Sequence, residues 1–208
     1  MSQANSKKNI AVLISGRGSN LQAIIDAVEG GAISASLRVV VSNVQSAHGL
    51  ERARKHGSEA VFLDPKAYPA RMEFDAALVD LLKSRETDLV CLAGYMRILS
   101  PGFIRSFSGR IMNIHPALLP AFPGLDVQKK ALEHGVKFSG CTVHFVDEGV
   151  DTGPIIMQSV VPVLDGDDVE TLSARILKEE HRIYPLAIQA FVEGRVKVEG
   201  RRVRILKT

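Results

Sequence analysis

Short apolar runs recur along the first half of the chain, each bounded by glycine, proline or small polar residues. The runs are Ile10–Ile14, Leu37–Val41, Ala60–Leu63, Leu89–Ala93 and Arg110–Ile114. Segments with helix-like patterning lie between most of them, at Asn20–Glu29, Ala47–Lys55 and Tyr68–Lys83. Strands that alternate with helices are connected by right-handed crossovers, so the pattern predicts an α/β fold with a mainly parallel, Rossmann-like sheet flanked by helices.

Polar segments follow four of the predicted strands at their carboxyl ends. They are Ser15–Asn20, Ser42–Asn43, Gly94–Arg97 and Asn113–Pro116. Open parallel sheets bind ligands in the crevice outside the carboxyl ends of their strands. We therefore expect the four segments to line one cleft.

The pattern changes after residue 136. Cys141–Val146 and Ile155–Val163 are strand-like and are joined by an acidic loop that contains glycine, which predicts an antiparallel hairpin in the C-terminal part. A last helix is expected to open at Asp167, with Glu170 as its capping-box partner. Pro185 should break or kink that helix.

Glu180 lies on the apolar stripe of the last helix, four residues after Ile176. A carboxylate that faces a core needs a partner, because burying a charge without one is costly. A structural arginine and a ligand amine would each serve, and the sequence leaves both open.

Composition limits the classes of function. The chain has 208 residues, 46% of them hydrophobic, and no apolar run approaches the roughly 18 residues of a membrane span. Residues 1–8 form a polar leader without the apolar centre of a secretory signal, so we expect a single cytoplasmic domain over residues 1–208. Much of the formal charge of +3 comes from a basic tail at about 195–208, which we expect to be solvated. Aromatic residues are scarce, at 5%, so nucleic-acid binding is not indicated.

The two cysteines, Cys91 and Cys141, lie inside apolar runs. No group of Cys and His residues has the spacing of metal ligands. We therefore expect two buried thiols and no metal site.

Asn113 and His115 are the most informative pair in the chain. If Arg110–His115 is a strand, its two-residue period places both side chains on one face, at the carboxyl end. An amide donor beside a titratable imidazole suits a carbonyl that becomes an oxyanion. The alternative, a buried Asn and His satisfied by the backbone, stays open on these residues alone.

The segment Ser15–Leu21 resembles a phosphate-binding turn from strand to helix. Its glycines permit close approach of a ligand, and Ser19, Asn20 and the free N–H groups of the helix would form an anion site. A dinucleotide fingerprint would need glycine at Leu21, and a Walker A loop would need Gly-Lys-Ser/Thr. A site for a single phosphate monoester remains, with a tight turn that binds nothing as the alternative.

Asp151 lies in the glycine-flanked hairpin loop, which could fold back onto the cleft. A carboxylate near an imidazole favours the protonated ring and fixes its orientation. Asp151 could equally be a turn residue. His144 alternates with apolar neighbours and is expected to be a core or cleft-wall histidine.

Seven segments together resemble the phosphoribosylglycinamide formyltransferase family, the folate-dependent glycinamide ribonucleotide transformylases of purine biosynthesis. The segments are Ser15–Leu21, Ala93–Ser100, Asn113–Pro116, Leu119–Pro120, Phe122–Gly124, Asp151–Pro154 and Glu180–Pro185. They occur in one order from about Asn9 to Gly194. That resemblance is far more specific than any single motif.

The resemblance implies a formyltransferase-type fold and a transfer of formyl from 10-formyltetrahydrofolate to the amine of glycinamide ribonucleotide, through a tetrahedral oxyanion. It implies that Asn113, protonated His115 and Asp151 are catalytic, with Asp151 keeping His115 cationic. Neither a metal nor a covalent enzyme intermediate is needed.

The same resemblance assigns the two substrates to separate residues. The ribonucleotide would be held by Gly18, Ser19, Asn20 and Glu180. The folate would meet Arg71, Met96, Arg97, Ile98, Leu99, Asn113, Asp147, Glu148, Gly149, Val150 and Asp151.

Other enzymes of formyl-folates are the alternatives: formyltetrahydrofolate hydrolase, or a transferase acting on methionyl-tRNA or a sugar nucleotide. The hydrolase and the tRNA enzyme would call for an extra domain, for which 208 residues leave no room. A non-catalytic binding protein would be expected to lack Asn113, His115 or Asp151. The expected partners are small molecules, not nucleic acid or membrane, and the chain is expected to be a monomer or a homodimer.

Overall fold

A computed structural model describes residues 7–207 of the chain; the start of the predicted polar leader, residues 1–6, lies outside them. A seven-stranded sheet has the order β3-β2-β1-β4-β5-β6-β7. Its strands are β1 (Lys8–Ile14), β2 (Ala35–Ser42), β3 (Glu59–Phe62), β4 (Leu89–Leu92), β5 (Ile111–His115), β6 (Phe138–Phe145) and β7 (Ile155–Pro162). The first five strands pair in parallel and the last two add antiparallel, which confirms the predicted sheet and hairpin.

Six α-helices connect or flank the strands within the described residues. They are α1 (Ser19–Glu29), α2 (His48–Lys55), α3 (Arg71–Ser84), α4 (Pro101–Ser106), α5 (Val127–Glu133) and α6 (Val169–Val192). A short 3-10 turn at Pro65–Ala67 precedes α3. Over residues 7–207, no helix combines the length and the apolar character needed to cross a membrane.

The apolar runs form strands because both faces of the sheet are covered. Every residue of Ile10–Ile14 is fully buried, which is typical of a central parallel strand. Residues of α1 and α6 pack with Val12 and Ile14 on one face. Residues of α3 and α4 pack with Ala11 and Leu13 on the other. The sheet is therefore the middle of three layers, and its carboxyl edge is left for ligands.

The last helix differs from the prediction at its start, and Pro185 does not break it. Asp168, not Asp167, is the capping residue; it accepts from the backbone N–H of Thr171 at 2.8 Å, and Thr171, not Glu170, completes the box. Asp167 instead pairs with Arg175 at 2.6 Å. The helix also continues through Pro185 to Val192.

Packing explains why Pro185 does not end α6. A proline inside a helix costs about 3 kcal/mol, because it removes a hydrogen bond and crowds the preceding turn. The residues on both sides of it, Ile183, Tyr184, Ala187 and Ile188, are all buried against the sheet. Burying one large apolar side chain recovers about 1.5–3 kcal/mol, so this buried face outweighs the penalty.

The tail is exposed over most of its length, as predicted, but residues 196–205 also form a second sheet. Strands β8 (Val196–Glu199) and β9 (Arg202–Ile205) pair as a hairpin. Val196, Val203 and Ile205 are partly buried against the main core. The alternation of these apolar residues with exposed basic ones is a strand pattern that the charge count conceals.

Cys91 and Cys141 are both buried and free, as predicted. Burial raises the pKa of each thiol to about 12, opposed at Cys91 by a hydrogen bond with Tyr184. Both residues therefore remain neutral thiols at ordinary pH.

Tyr184 fastens α6 to the sheet beside its carboxyl edge. It is fully buried, and its hydroxyl lies 3.0 Å from the carbonyl oxygens of Leu92 in β4 and Met112 in β5. One hydroxyl proton is thus shared between two neighbouring strands. The contact fixes the helix that carries Glu180 relative to the strand that carries Asn113 and His115.

We predict that Tyr184→Phe lowers the free energy of unfolding by about 1–3 kcal/mol, because it removes a buried donor from the two carbonyls. Urea denaturation measures the change. Tyr68→Phe is the matched control, since Tyr68 is only partly buried and its hydroxyl has no hydrogen-bond partner among residues 7–207. Equal losses in both variants would contradict a special role for the Tyr184 hydroxyl.

Candidate active site

Two of the four polar segments, Gly94–Arg97 and Asn113–Pro116, line a cavity of about 790 Å³. The other two, Ser15–Asn20 and Ser42–Asn43, are not among its lining residues, so the prediction that all four line one cleft is met only in part. Its walls come from four stretches: residues 94–99, 113–116, 124–128 and 147–151. The last stretch belongs to the loop between β6 and β7, so the antiparallel part of the sheet folds back onto the parallel part. The cavity therefore has walls from both halves of the fold.

His115 and Asp151 meet at this cavity. His115 Nδ1 lies 3.3 Å from Asp151 Oδ2, and the two side chains are only 6% and 13% exposed. His115 Nε2 lies 2.9 Å from the carbonyl oxygen of Phe122, and the backbone N–H of Gly124 donates to Asp151 Oδ2 at 2.9 Å. Asp151 adopts φ +55°, a left-handed conformation that Asp tolerates better than most residues. Asp151 is thus both a turn residue and a lining residue of the cavity.

Asn113 contacts a second imidazole, that of His144. Asn113 Nδ2 lies 3.2 Å from His144 Nε2, and His144 Nδ1 lies 2.8 Å from the carbonyl oxygen of Phe145. A carbonyl only accepts, so Nδ1 of His144 carries the proton and Nε2 accepts from the Asn113 amide. His144 Nε2 is also 3.6 Å from Asp151 Oδ1. The core or cleft-wall position expected for His144 is confirmed, and the residue belongs to the polar cluster.

Sequence reasoning missed the link between His144 and Asn113 because it depends on strand register. The two residues are direct partners across the antiparallel pair of β5 and β6. The alternation of His144 with apolar neighbours gave its face, but the partner strand and its register were not visible.

The charge states in the cluster are set by burial and by the surrounding polar atoms. Burial raises the pKa of Asp151, but the contact with His144, the hydrogen bond from the Gly124 N–H and the nearby His115 outweigh it, so the pKa lies below its ordinary value. Burial lowers the pKa of His115, against the Phe122 carbonyl and Asp151, which raise it. The effect of burial is the larger one, so the pKa of His115 lies below its ordinary value even with Asp151 beside it.

The glycine turn before α1 has the close packing that its sequence suggested. Gly18 has φ +72°, and a Cβ there would lie 2.7 Å from Cα of Gly49 at the start of α2. The backbone N–H of Gly49 donates to Gly16 at 3.1 Å, and Arg52 Nε donates to the carbonyl of Arg17 at 2.9 Å. The turn thus rests on α2, while Ser19 begins α1.

Glu180 has a partner that neither of the two sequence alternatives named. Asn20 Nδ2 donates to Glu180 Oε2 at 2.6 Å, and both residues are buried. Burial raises the pKa of Glu180, and the hydrogen bond from Asn20 opposes that rise. Because its amide nitrogen faces Glu180, the Asn20 side chain is already engaged inside the protein.

The residues that the resemblance assigns to folate separate into two groups. Met96, Arg97, Ile98 and Leu99 line the cavity, as do Asp147, Glu148, Gly149, Val150 and Asp151. Arg97 stacks on the ring of Phe74 with 4.6 Å between its guanidinium carbon and the ring centroid. Arg71 is exposed at the start of α3 and is not among the lining residues. The structure therefore does not bring Arg71 to the cavity.

The family model for formyl transferases matches residues 8–188, a span that contains the whole cavity. The chain belongs to the formyl transferase family. It is 48% identical over 190 residues to the phosphoribosylglycinamide formyltransferase of Escherichia coli strain K12, covering 91% of this chain and 90% of that protein. These findings confirm the family that the motifs predicted.

Other relatives place the same segment in longer proteins. The trifunctional purine biosynthetic protein adenosine-3 of Drosophila melanogaster is 52% identical over 190 residues, which are 90% of this chain. The chain spans only 14% of the length of that protein.

Solved structures of this formyl transferase family share the fold. Glycinamide ribonucleotide transformylase 1 from Symbiobacterium toebii superposes with a TM-score of 0.96 and 59% identity, covering 99% of this chain and 96% of that one. A formyltetrahydrofolate deformylase from Pseudomonas syringae pv. tomato has a TM-score of 0.90 at 28% identity, covering 97% of this chain and 67% of that one. The fold is thus common to transferase and hydrolase chemistry, and the site must distinguish them.

We predict that the pKa of His115 lies below its ordinary value near 6.5 and falls further in Asp151→Asn, because the substitution removes a charge that favours the imidazolium. Nuclear magnetic resonance titration of the ring signals measures both. Asp147→Asn is the control, since Asp147 bonds Thr152 and the Gly149 N–H and does not contact His115. An unchanged or higher pKa in Asp151→Asn would contradict the electrostatic coupling.

Proposed function

We propose that the chain transfers a formyl group from 10-formyltetrahydrofolate to the amine of 5'-phosphoribosylglycinamide, as in purine biosynthesis. The observation that carries the proposal is the cluster of Asn113, His115 and Asp151 at one wall of a cavity of about 790 Å³. The near full-length similarity to the formyltransferase of Escherichia coli supports this choice of substrates.

The cavity offers two kinds of surface to the folate. The exposed apolar side chains of Met96 and Ile98, 68% and 63% exposed, lie on one wall. The loop 147–151 lies on another wall and supplies polar and backbone groups. A flat heterocycle with hydrogen-bonding edges matches such a mixed lining.

The ribonucleotide would bind across the neighbouring strand end. Its phosphate would meet the free N–H groups at the start of α1, beside Gly18 and Ser19, since a helix N-terminus favours an anion. Glu180 would accept a hydrogen bond from the neutral glycinamide amine, the form of that nitrogen whose lone pair can attack a carbonyl carbon. Asn20, already bonded to Glu180, would orient the carboxylate.

Formyl transfer begins when the amine nitrogen attacks the formyl carbon, which forms a C–N bond and places negative charge on the formyl oxygen. The Asn113 amide and the His115 ring would donate to that oxygen. A well-placed donor of this kind contributes about 3–4 kcal/mol. The developing anion also raises the pKa of His115 and so counteracts the effect of burial.

Collapse of the tetrahedral intermediate breaks the bond from carbon to the folate nitrogen. The attacking amine must lose one proton and the folate nitrogen must gain one, so the protons balance without a metal or a covalent enzyme intermediate. Asp151 orients His115, and either the ring or a water held by Asp151 carries the proton. Holding both substrates in contact supplies a large further part of the acceleration.

Hydrolysis of 10-formyltetrahydrofolate is the second candidate, favoured by the likeness to the Pseudomonas syringae deformylase. It requires water in place of the amine and gives no reason for a phosphate turn before α1. The 48% identity to the phosphoribosylglycinamide formyltransferase of Escherichia coli, against 28% to the deformylase, favours the transferase.

A difference-absorbance assay with both substrates tests the proposal. We expect folate turnover to require the ribonucleotide. Turnover at the full rate without the ribonucleotide would identify a hydrolase, and no turnover in either mixture would exclude both candidates.

We predict that His115→Ala and Asp151→Asn each lower kcat by about 100-fold or more, because each acts on the transition state. Initial rates at saturating substrates give kcat. His56→Ala is the control and should retain kcat, since His56 pairs with Glu29 outside the cavity lining. Near-normal kcat in either active-site variant would contradict the assignment.

We predict that Gly18→Ala raises the KM for the ribonucleotide by about tenfold or more and the KM for folate by less than about twofold, because a left-handed residue other than glycine costs roughly 1–2 kcal/mol at that turn. Gly166→Ala is the matched control, since a Cβ at Gly166 meets no atom within 4 Å. Steady-state kinetics with each substrate varied in turn measure the effect. Equal increases in both KM values would indicate general unfolding.

A further inference from the structure

Ser15 connects the phosphate turn to the wall of the folate cavity. Its backbone N–H donates to the carbonyl of Gly94 at 3.0 Å. Its hydroxyl accepts from the backbone N–H of Met96 at 2.8 Å and donates to Asn43 Oδ1 at 2.6 Å. One short side chain thus contacts the segments that follow three different strands, β1, β2 and β4.

The proton of the Ser15 hydroxyl and one of its two lone pairs are both used in these contacts. A serine hydroxyl has one proton, and Asn43 receives it, which turns a lone pair toward Met96. The Met96 side chain is 68% exposed, so its backbone N–H lies near solvent and depends on this contact for protection.

Ser15 and Met96 each lie at the start of a segment that would bind one of the two substrates. Ser15 is the first residue of the phosphate turn, and Arg97 to Leu99 follow directly after Met96. A displacement at the serine hydroxyl therefore moves one substrate's binding segment relative to the other's.

We propose that Ser15, oriented by Asn43, is a positioning residue that fixes the ribonucleotide turn relative to the folate wall. The inference deepens the proposed function and rests on it, since both segments must hold substrates. Ser15 touches no reacting atom in this scheme. It sets the distance between the amine and the formyl carbon.

The expected effect is on chemistry more than on binding of either substrate. Each substrate retains its own contacts when the bridge is lost, but the two reacting atoms meet in a wider range of positions. A misplacement of about 1 Å can cost about 100-fold in rate. Loss of a single hydrogen bond is a smaller perturbation than such a misplacement, so we expect the fall in rate to stay below that limit.

The kinetic test compares Ser15→Ala and Asn43→Ala with the double variant. We expect each single variant to lower kcat by about tenfold while each KM changes by less than about threefold. The double variant should be no slower than Ser15→Ala, because Asn43 acts through the serine hydroxyl. Ser15→Thr, which retains a hydroxyl, should recover part of the rate. Unchanged kcat in Ser15→Ala, or additive losses in the double variant, would overturn the proposal.

Ser84→Ala is the matched control. The Ser84 hydroxyl also donates once and accepts once, to Leu81 and from Arg85, but at the carboxyl end of α3 and outside the cavity lining. Ser84→Ala should retain kcat, and its thermal stability should fall by about as much as that of Ser15→Ala. An equal fall in kcat in Ser84→Ala would show that the effect is general and would overturn the proposal.

Amide hydrogen exchange tests the bridge without any turnover. In the wild-type chain the Met96 N–H should exchange at least about tenfold more slowly than an unprotected amide, and in Ser15→Ala the protection should disappear. An unprotected Met96 amide in the wild type would overturn the bridge even if formyl transfer is found. Absence of formyl transfer with a protected amide would instead overturn the proposed function.

Discussion

The contact of Asp151 with two buried imidazoles joins the two halves of the sheet. His115 ends the last parallel strand, and His144 lies on the antiparallel strand beside it. Asp151 approaches both rings, at 3.3 and 3.6 Å, from the loop that follows β6. Residues 147–151 form one wall of the cavity, so this contact bears on the shape of the cavity as well as on its chemistry.

Burying this cluster is costly unless every polar atom has a partner, and the structure supplies partners from the backbone. The carbonyls of Phe122 and Phe145 accept from the two rings, and the Gly124 N–H donates to the carboxylate. These groups belong to the loop 122–124 and to the carboxyl end of β6. The polar cluster therefore stabilises the surrounding backbone as much as the backbone stabilises the cluster.

The strands, and the edge of the sheet at which the cavity lies, could be predicted because they follow from local patterns; that only two of the four polar segments line the cavity could not. Apolar runs such as Ile10–Ile14 are buried on both faces, and the residues that end them must lie at one edge. Long-range packing was not visible in the sequence. It decided the register that pairs Asn113 with His144, the continuation of α6 through Pro185 and the docking of the last hairpin through Val203.

The two proposed oxyanion donors already have acceptors inside the protein. Asn113 donates to His144, and His115 donates to the carbonyl of Phe122. A substrate oxygen must therefore replace these acceptors. The free energy gained is the difference between a hydrogen bond to an oxyanion and a hydrogen bond to a neutral acceptor. A neutral formyl oxygen gains little by that exchange, whereas a charged oxygen gains roughly twice the strength of a neutral hydrogen bond. The arrangement thus favours the transition state over the bound substrate, which is the condition for raising kcat and not merely affinity.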